Sequence, residues 1–114
     1  MRRLSFVFAL LALPAQAQGL ASGDAIRSAI SGNTVQGSMQ ASGGYTEFYA
    51  ADGTIKAADY AGEWSISGDK MCFAYGEDPA QCWAARIAGV QITWVGAAGD
   101  EGTGRIVAGN SNGF

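Results

Sequence analysis

Histidine is absent from all 114 residues, cysteine occurs twice, and Lys and Arg together number seven against ten Asp and Glu. Each shortage excludes a class of function. Without histidine there is no Ser-His or Cys-His nucleophile and no zinc site built on imidazole. A serine nucleophile would then need a lysine as its base, and no such pair is expected. The few cations, Lys56, Lys70, Arg86 and Arg105 among them, form no basic stripe. Binding of nucleic acid, which needs a cationic footprint for phosphates, is therefore excluded, as is electrostatic attachment to an anionic membrane. A long apolar run is also missing. The best is residues 4–13, ten positions with only Ser5 polar, half of the ~20 residues that cross a hydrocarbon core.

That short run has another use. Arg2 and Arg3 precede it, Pro14 ends it, and Ala15-Gln16-Ala17 has the small-x-small form of a signal-peptidase site. Residues 1–17 read as a cleavable signal peptide rather than a membrane anchor, and residues 18–114 as one domain. Cleavage leaves five basic and ten acidic residues, a net charge of −5. The expected location is the periplasm or the exterior, and the mature chain is not expected to span a membrane.

Export gives the cysteines their meaning. In an oxidising compartment thiols pair, and two cysteines allow one pairing, Cys72 with Cys82. Nine intervening residues are too many for a metal knuckle or for a thioredoxin-like centre, whose cysteines lie two apart. The segment KMCFAYGEDPAQCW explains the spacing as a hairpin. If Cys72 faces Cys82 across antiparallel strands, Met71 faces Trp83 and Phe73 faces Gln81, with Gly76, Glu77 and Asp78 at the tip. Alternation then puts Met71, Phe73 and Trp83 on one face and both sulfurs on the other.

Residues 22–32, SGDAIRSAISG, carry the one helical signal. Ser22 or Asp24 can cap it, Ala25, Ile26, Ala29 and Ile30 share a face, and Gly32 can end it in a left-handed conformation. Beyond Gly32 the chain reads as short strands over residues 34–39, 45–50, 55–58, 63–67, 70–75, 81–87, 90–95 and 105–108. Asp52-Gly53, Gly68-Asp69 and Gly89 mark turns, and GAAGDEGTG at 96–104 reads as a glycine-rich loop. No crossover helix fits between strands, so parallel sheet is excluded. The fold class is all-β: an antiparallel meander of about eight short strands with one N-terminal helix. It closes into a small barrel in preference to two facing layers, because closure removes exposed edges.

Chemically the chain is sparse. Glu47, Asp52, Asp59, Glu63, Asp69 and Asp78 are candidates for acid–base work, but most sit where turns favour Asp for backbone reasons. The pairs Glu77-Asp78 and Asp100-Glu101 lack the ordered ligands of a calcium loop. No catalytic, metal or cofactor residue is assigned, and an enzyme is not expected. The richest feature is aromatic: Tyr45, Phe48, Tyr49, Tyr60, Trp64, Phe73, Tyr75, Trp83 and Trp94. Of these, Trp64, Phe73, Trp83 and Trp94 are the candidates for a ligand pocket or a core. So much tryptophan in a barrel of short strands favours a filled core.

The segments ISGNTVQG, YTEFYAADGTIK and GEWSISGDKMCFAY, Cys82-Trp83 and a late AGN resemble a group of small exported bacterial β-proteins with one disulfide. That resemblance implies a fold and a compartment, not a reaction. A weaker likeness is to periplasmic inhibitors of lysozymes and metalloproteases. Ser42-Gly43-Gly44-Tyr45 is similar to the Ser-Gly-x-x-Tyr loop of the lysozyme inhibitors, one residue shorter, and implies no site residue. The expected function is non-enzymatic binding of a small apolar ligand or a cell-envelope partner. The alternative is inhibition of a hydrolase. Intact mass of the protein from an exporting host should show residues 1–17 removed and Gln18 at or beside the new start. Retention of Met1 in exported material would refute the signal peptide.

Overall fold

The computed structural model describes residues 19–114. The signal peptide expected at 1–17 lies outside the described residues. The first element is helix α1 (Gly23–Ile30), followed by eight strands: β1 (Asn33–Met39), β2 (Gly43–Tyr49), β3 (Thr54–Lys56), β4 (Ala61–Ser67), β5 (Lys70–Ala74), β6 (Gln81–Ala88), β7 (Gln91–Gly96) and β8 (Gly99–Val107). Each strand pairs antiparallel with the next, and β8 pairs back onto β1 from Thr34↔Val107 to Met39↔Gly102. The meander is a closed barrel. Among the described residues no helix is long and apolar enough to cross a membrane.

Period-two alternation divides every strand. Val35, Tyr49, Ile55, Trp64, Met71, Phe73, Ala85, Ile92 and Trp94 point inward and form the core. Gln36, Ser38, Glu63, Ser65, Thr103 and Arg105 point outward and are exposed. The expected hairpin forms with the expected register: Met71↔Trp83, Cys72↔Cys82 and Phe73↔Gln81. The two sulfurs are bonded on the outer face. Closing a loop of ten residues' separation stabilises the fold by about 2–3 kcal/mol, mainly by restricting the unfolded chain.

Helix α1 plugs one end. Ser22 caps it by accepting the Ala25 N–H at 3.1 Å, and Gly32 ends it at φ +80°. Ile26 and Ile30 are fully buried against β1, β4 and β5, whereas Ala25, expected on the same face, is exposed. Two bonds hold the plug down: Ala21 N–H donates to the Ala85 carbonyl at 2.7 Å and Gly23 N–H to Asp69 Oδ1 at 2.8 Å. A Cβ on Gly23 would come within 2.1 Å of the Gly68 carbonyl oxygen, so only glycine lets the helix sit this deep. The opposite end is ringed by the loops at 40–42, 57–60, 75–80 and 97–98, and none of the described residues plugs it.

Three expectations need correction. The glycine-rich stretch is not a loop: Gly99–Val107 is the longest strand, and the last strand does not begin at Arg105. Its inward glycines are strand residues because neighbours occupy the side-chain space. A Cβ on Gly104 would lie 2.4 Å from Val35 Cγ1 and 2.6 Å from Tyr45 Oη. The seventh strand, expected over 90–95, does not begin at Val90, which sits in the β6–β7 turn, 45% exposed. Phe48, one of the nine aromatics noted in the sequence, points outward between inward Glu47 and Tyr49.

Burial separates the three tryptophans. Trp94 and Trp64 are 1% and 5% exposed, and Trp83 is only partly buried. Trp94→Ala and Trp64→Ala should each lower stability by about 3–5 kcal/mol, and Trp83→Ala by less than about 2 kcal/mol. Urea unfolding reads the difference, and equal losses at all three positions would contradict this division of the core.

Candidate functional site

The open end holds a pocket of about 640 Å³. Its position follows from the meander: β1, β3, β5 and β7 end at this rim, and β2, β4, β6 and β8 begin there. Inward residues from the rim-side halves of the strands therefore face one lumen. Of the four aromatic candidates, Phe73, Trp83 and Trp94 line the pocket, whereas Trp64 belongs to the plugged half. There its indole N–H donates to the Ala50 carbonyl at 2.9 Å and the Arg27 guanidinium lies 5.6 Å above its ring. The barrel is filled only at that end. The expectation of a filled core fails at the other end, where large rings line the wall and leave the lumen open.

Glu47 is at the centre of the pocket wall, with 4% of its surface exposed. On β2 it shares the inward face with Tyr45 and Tyr49, two residues either side. Its carboxylate accepts from three phenols. Tyr49 donates to Oε1 at 2.6 Å, Tyr60 to Oε2 at 2.6 Å, and Tyr75 lies 3.0 and 2.8 Å from the two oxygens. These donors come from β2, which also carries Glu47, from the β3–β4 loop and from the residue after β5, so three segments of chain meet on one side chain. Tyr45 completes the set differently: its hydroxyl donates to the Thr103 carbonyl at 3.1 Å and accepts from Trp94 Nε1 at 2.9 Å.

Edge-to-face contacts keep the rings upright against the wall. Tyr49 meets Trp64 and Phe73 at centroid separations of 6.5 and 6.1 Å, Phe73 meets Trp94 at 5.2 Å, and Tyr60 meets Tyr75 at 5.8 Å. Such pairs contribute about 0.5–1.5 kcal/mol each beyond burial. Glycine again makes the room: a Cβ on Gly62 would be 2.7 Å from the Tyr75 ring.

A second carboxylate enters by a bulge. Trp94 pairs with Gly102 but Val95 with Asp100, so Glu101 has no partner across β7 and its side chain turns into the pocket. The adjacent acids thereby separate: Asp100 pairs with Arg86 on the outside and Glu101 lines the lumen. Among the described residues no three His, Cys, Asp or Glu side chains converge as a metal site. The expectation of no serine–lysine pair is wrong: Ser67-Gly68-Asp69-Lys70 has that spacing, and Ser67 and Lys70 face each other across the β4–β5 turn, both exposed and away from the pocket.

Glu47, named in the sequence only as an acid–base candidate, and Glu101, named only in a pair lacking calcium-loop ligands, were not expected in a pocket. A signal for Glu47 existed in Tyr45-Thr46-Glu47-Phe48-Tyr49, a carboxylate alternating in phase with two tyrosines. For Glu101 there was none, because a bulge is a property of the paired strands. No protein-family model, curated protein or solved structure matches this chain, so its chemistry is read from the pocket.

The chain's four tyrosines all stand around this pocket. Burial, together with the negative charge of Glu47, holds the Tyr49, Tyr60 and Tyr75 phenols well above the usual value near 10. Burial pushes Tyr45 up to about 12, with the Trp94 hydrogen bond opposing and Glu47 adding to the rise. Phenols raised in the fold contribute stability that is present below pH ~10 and lost as the pH rises through their folded values. Tyrosinate absorbance at 295 nm should therefore stay flat in the native protein at pH 10, where the urea-unfolded chain is about half ionised, and then rise together with alkaline unfolding. Any phenol titrating near 10 in the folded state would contradict this network.

Proposed function

We propose that the protein is an exported, periplasmic or secreted, non-enzymatic carrier that binds a small, largely apolar molecule in the open end of its barrel. It belongs on this reading with the small one-disulfide exported β-proteins it resembles. The observation that carries the proposal is the open pocket walled by Phe73, Trp83, Trp94 and the tyrosines. Its volume lies within the ~300–1,000 Å³ of small-molecule sites, and its make-up, largely apolar and rich in aromatic rings with a few fixed polar groups, is theirs too. Eight strands enclose about the space that one small ligand needs. The surface disulfide suits an oxidising compartment.

The alternative, insertion of a loop into a hydrolase, calls for a protruding rigid loop. The rim loops span two to six residues, and Ser42 and Gly44 of the similarity to lysozyme inhibitors line the pocket mouth. That favours the carrier over the inhibitor.

Titration with N-phenyl-1-naphthylamine, an uncharged aromatic fluorophore at neutral pH, tests the proposal. Saturable fluorescence enhancement at one site per chain is expected. Gln81→Trp, at an inward position on the mouth, should weaken it about tenfold without lowering the melting temperature. Absence of any saturable enhancement would sink the carrier.

A further inference from the structure

The polar groups of the pocket are unequal in kind. Among the described residues its wall contains two carboxylates, Glu47 and Glu101, and neither lysine nor arginine. Among the described residues Glu47 takes part in no ion pair. Each oxygen of its carboxylate is met by two phenol hydroxyls, Oε1 by Tyr49 and Tyr75 and Oε2 by Tyr60 and Tyr75, yet the three donors are neutral and leave the charge uncompensated. That charge is almost wholly withdrawn from water.

The phenols add to this bias. Each has one proton, and Tyr49, Tyr60 and Tyr75 give theirs to Glu47 while Tyr45 gives its own to Thr103. What these hydroxyls still offer is oxygen lone pairs. The network therefore presents acceptors and aromatic faces, and carries negative charge at low local dielectric, where a charge acts most strongly. A carboxylate or phosphate ligand would meet two like charges and no cation. A neutral molecule would gain apolar contact alone. An ammonium ion would gain the charge of Glu47, the lone pairs of the phenol oxygens and cation–π attraction from the rings. A metal ion is a poorer match, since no three acidic ligands converge here.

We infer that the open end of the barrel is a site for organic ammonium ions, with the nitrogen held beside Glu47 among the phenol oxygens and the apolar body against Phe73 and Trp83. Glu101, on the bulge, adds a second negative charge along the wall. This rests on the pocket being a ligand site and specifies which charge it selects.

Three probes of one shape and different charge separate the two statements: tryptamine, tryptophol and indole-3-propionate, titrated at pH 7 by calorimetry into the disulfide-bonded protein. Tryptamine should bind at least about tenfold more tightly than tryptophol, a difference of about 1.4 kcal/mol, and indole-3-propionate should bind more weakly than either. Glu47→Gln should abolish the preference, bringing tryptamine to the affinity of tryptophol. Tryptophol binding as tightly as tryptamine to the wild type would overturn the ammonium site and leave the apolar carrier standing. No binding of any of the three, with none of the neutral fluorophore, would overturn both. Should Glu47→Gln fail to fold, the ranking of the three probes on the wild-type protein decides alone.

Discussion

Glu47 is the constraint on which the open half of this barrel depends. A carboxylate moved out of water with no cation beside it is stabilised only if hydrogen-bond donors replace its hydration. Three phenols do so, and each arrives from a different segment: Tyr49 from the same strand, Tyr60 from the β3–β4 loop, Tyr75 from the end of β5. Bonds from neutral donors to an ion are among the stronger hydrogen bonds in proteins. Here they also orient three rings. A tyrosine tied at its hydroxyl stays against the wall, which leaves the lumen beside it unfilled.

The other half of the barrel is built on the opposite logic. Ile26 and Ile30 of α1 fill the lumen from below, and Trp64, Met71 and Ile55 close around them. Apolar burial there supplies cohesion, and the disulfide across β5 and β6 adds its share from the outer face. One barrel thus has a dry, filled end that stabilises it and an aromatic, acidic end whose rings are held apart by polar bonds. The seam between β1 and β8 serves both: Gly102 and Gly104 leave space for Met39, Val35 and Tyr45, and closure removes the edges that an open meander would expose.

Local rules found the elements whose signals are local. The Cys72–Cys82 register follows from alternation and two residue positions, and the helix from a cap, an apolar stripe and a terminal glycine. They failed at β8, because glycine weakens a strand in isolation and the compensating neighbours, Val35 and Tyr45, lie some sixty to seventy positions earlier in the chain. They failed for the filled core for a related reason. Counting tryptophans gives the amount of ring to be buried but not where each ring stands, and it leaves out the hydrogen bonds that hold Tyr60 and Tyr75 to Glu47.

The sequence by itself determined an all-β antiparallel chain with one short helix, one possible disulfide, and the inward or outward direction of most strand residues. Those follow from turn chemistry and from a side-chain period of two, which need no knowledge of the partner strand. Only the tertiary structure decided that the barrel is plugged at one end and open at the other, and that Asp100 faces water while Glu101 faces the lumen. It alone joined Glu47 to three tyrosines up to 28 residues away. Such arrangements depend on which strand ends meet at one rim and on a shift of one residue in a ladder. Both are set by pairing across the whole closed sheet, not by any run of neighbouring residues.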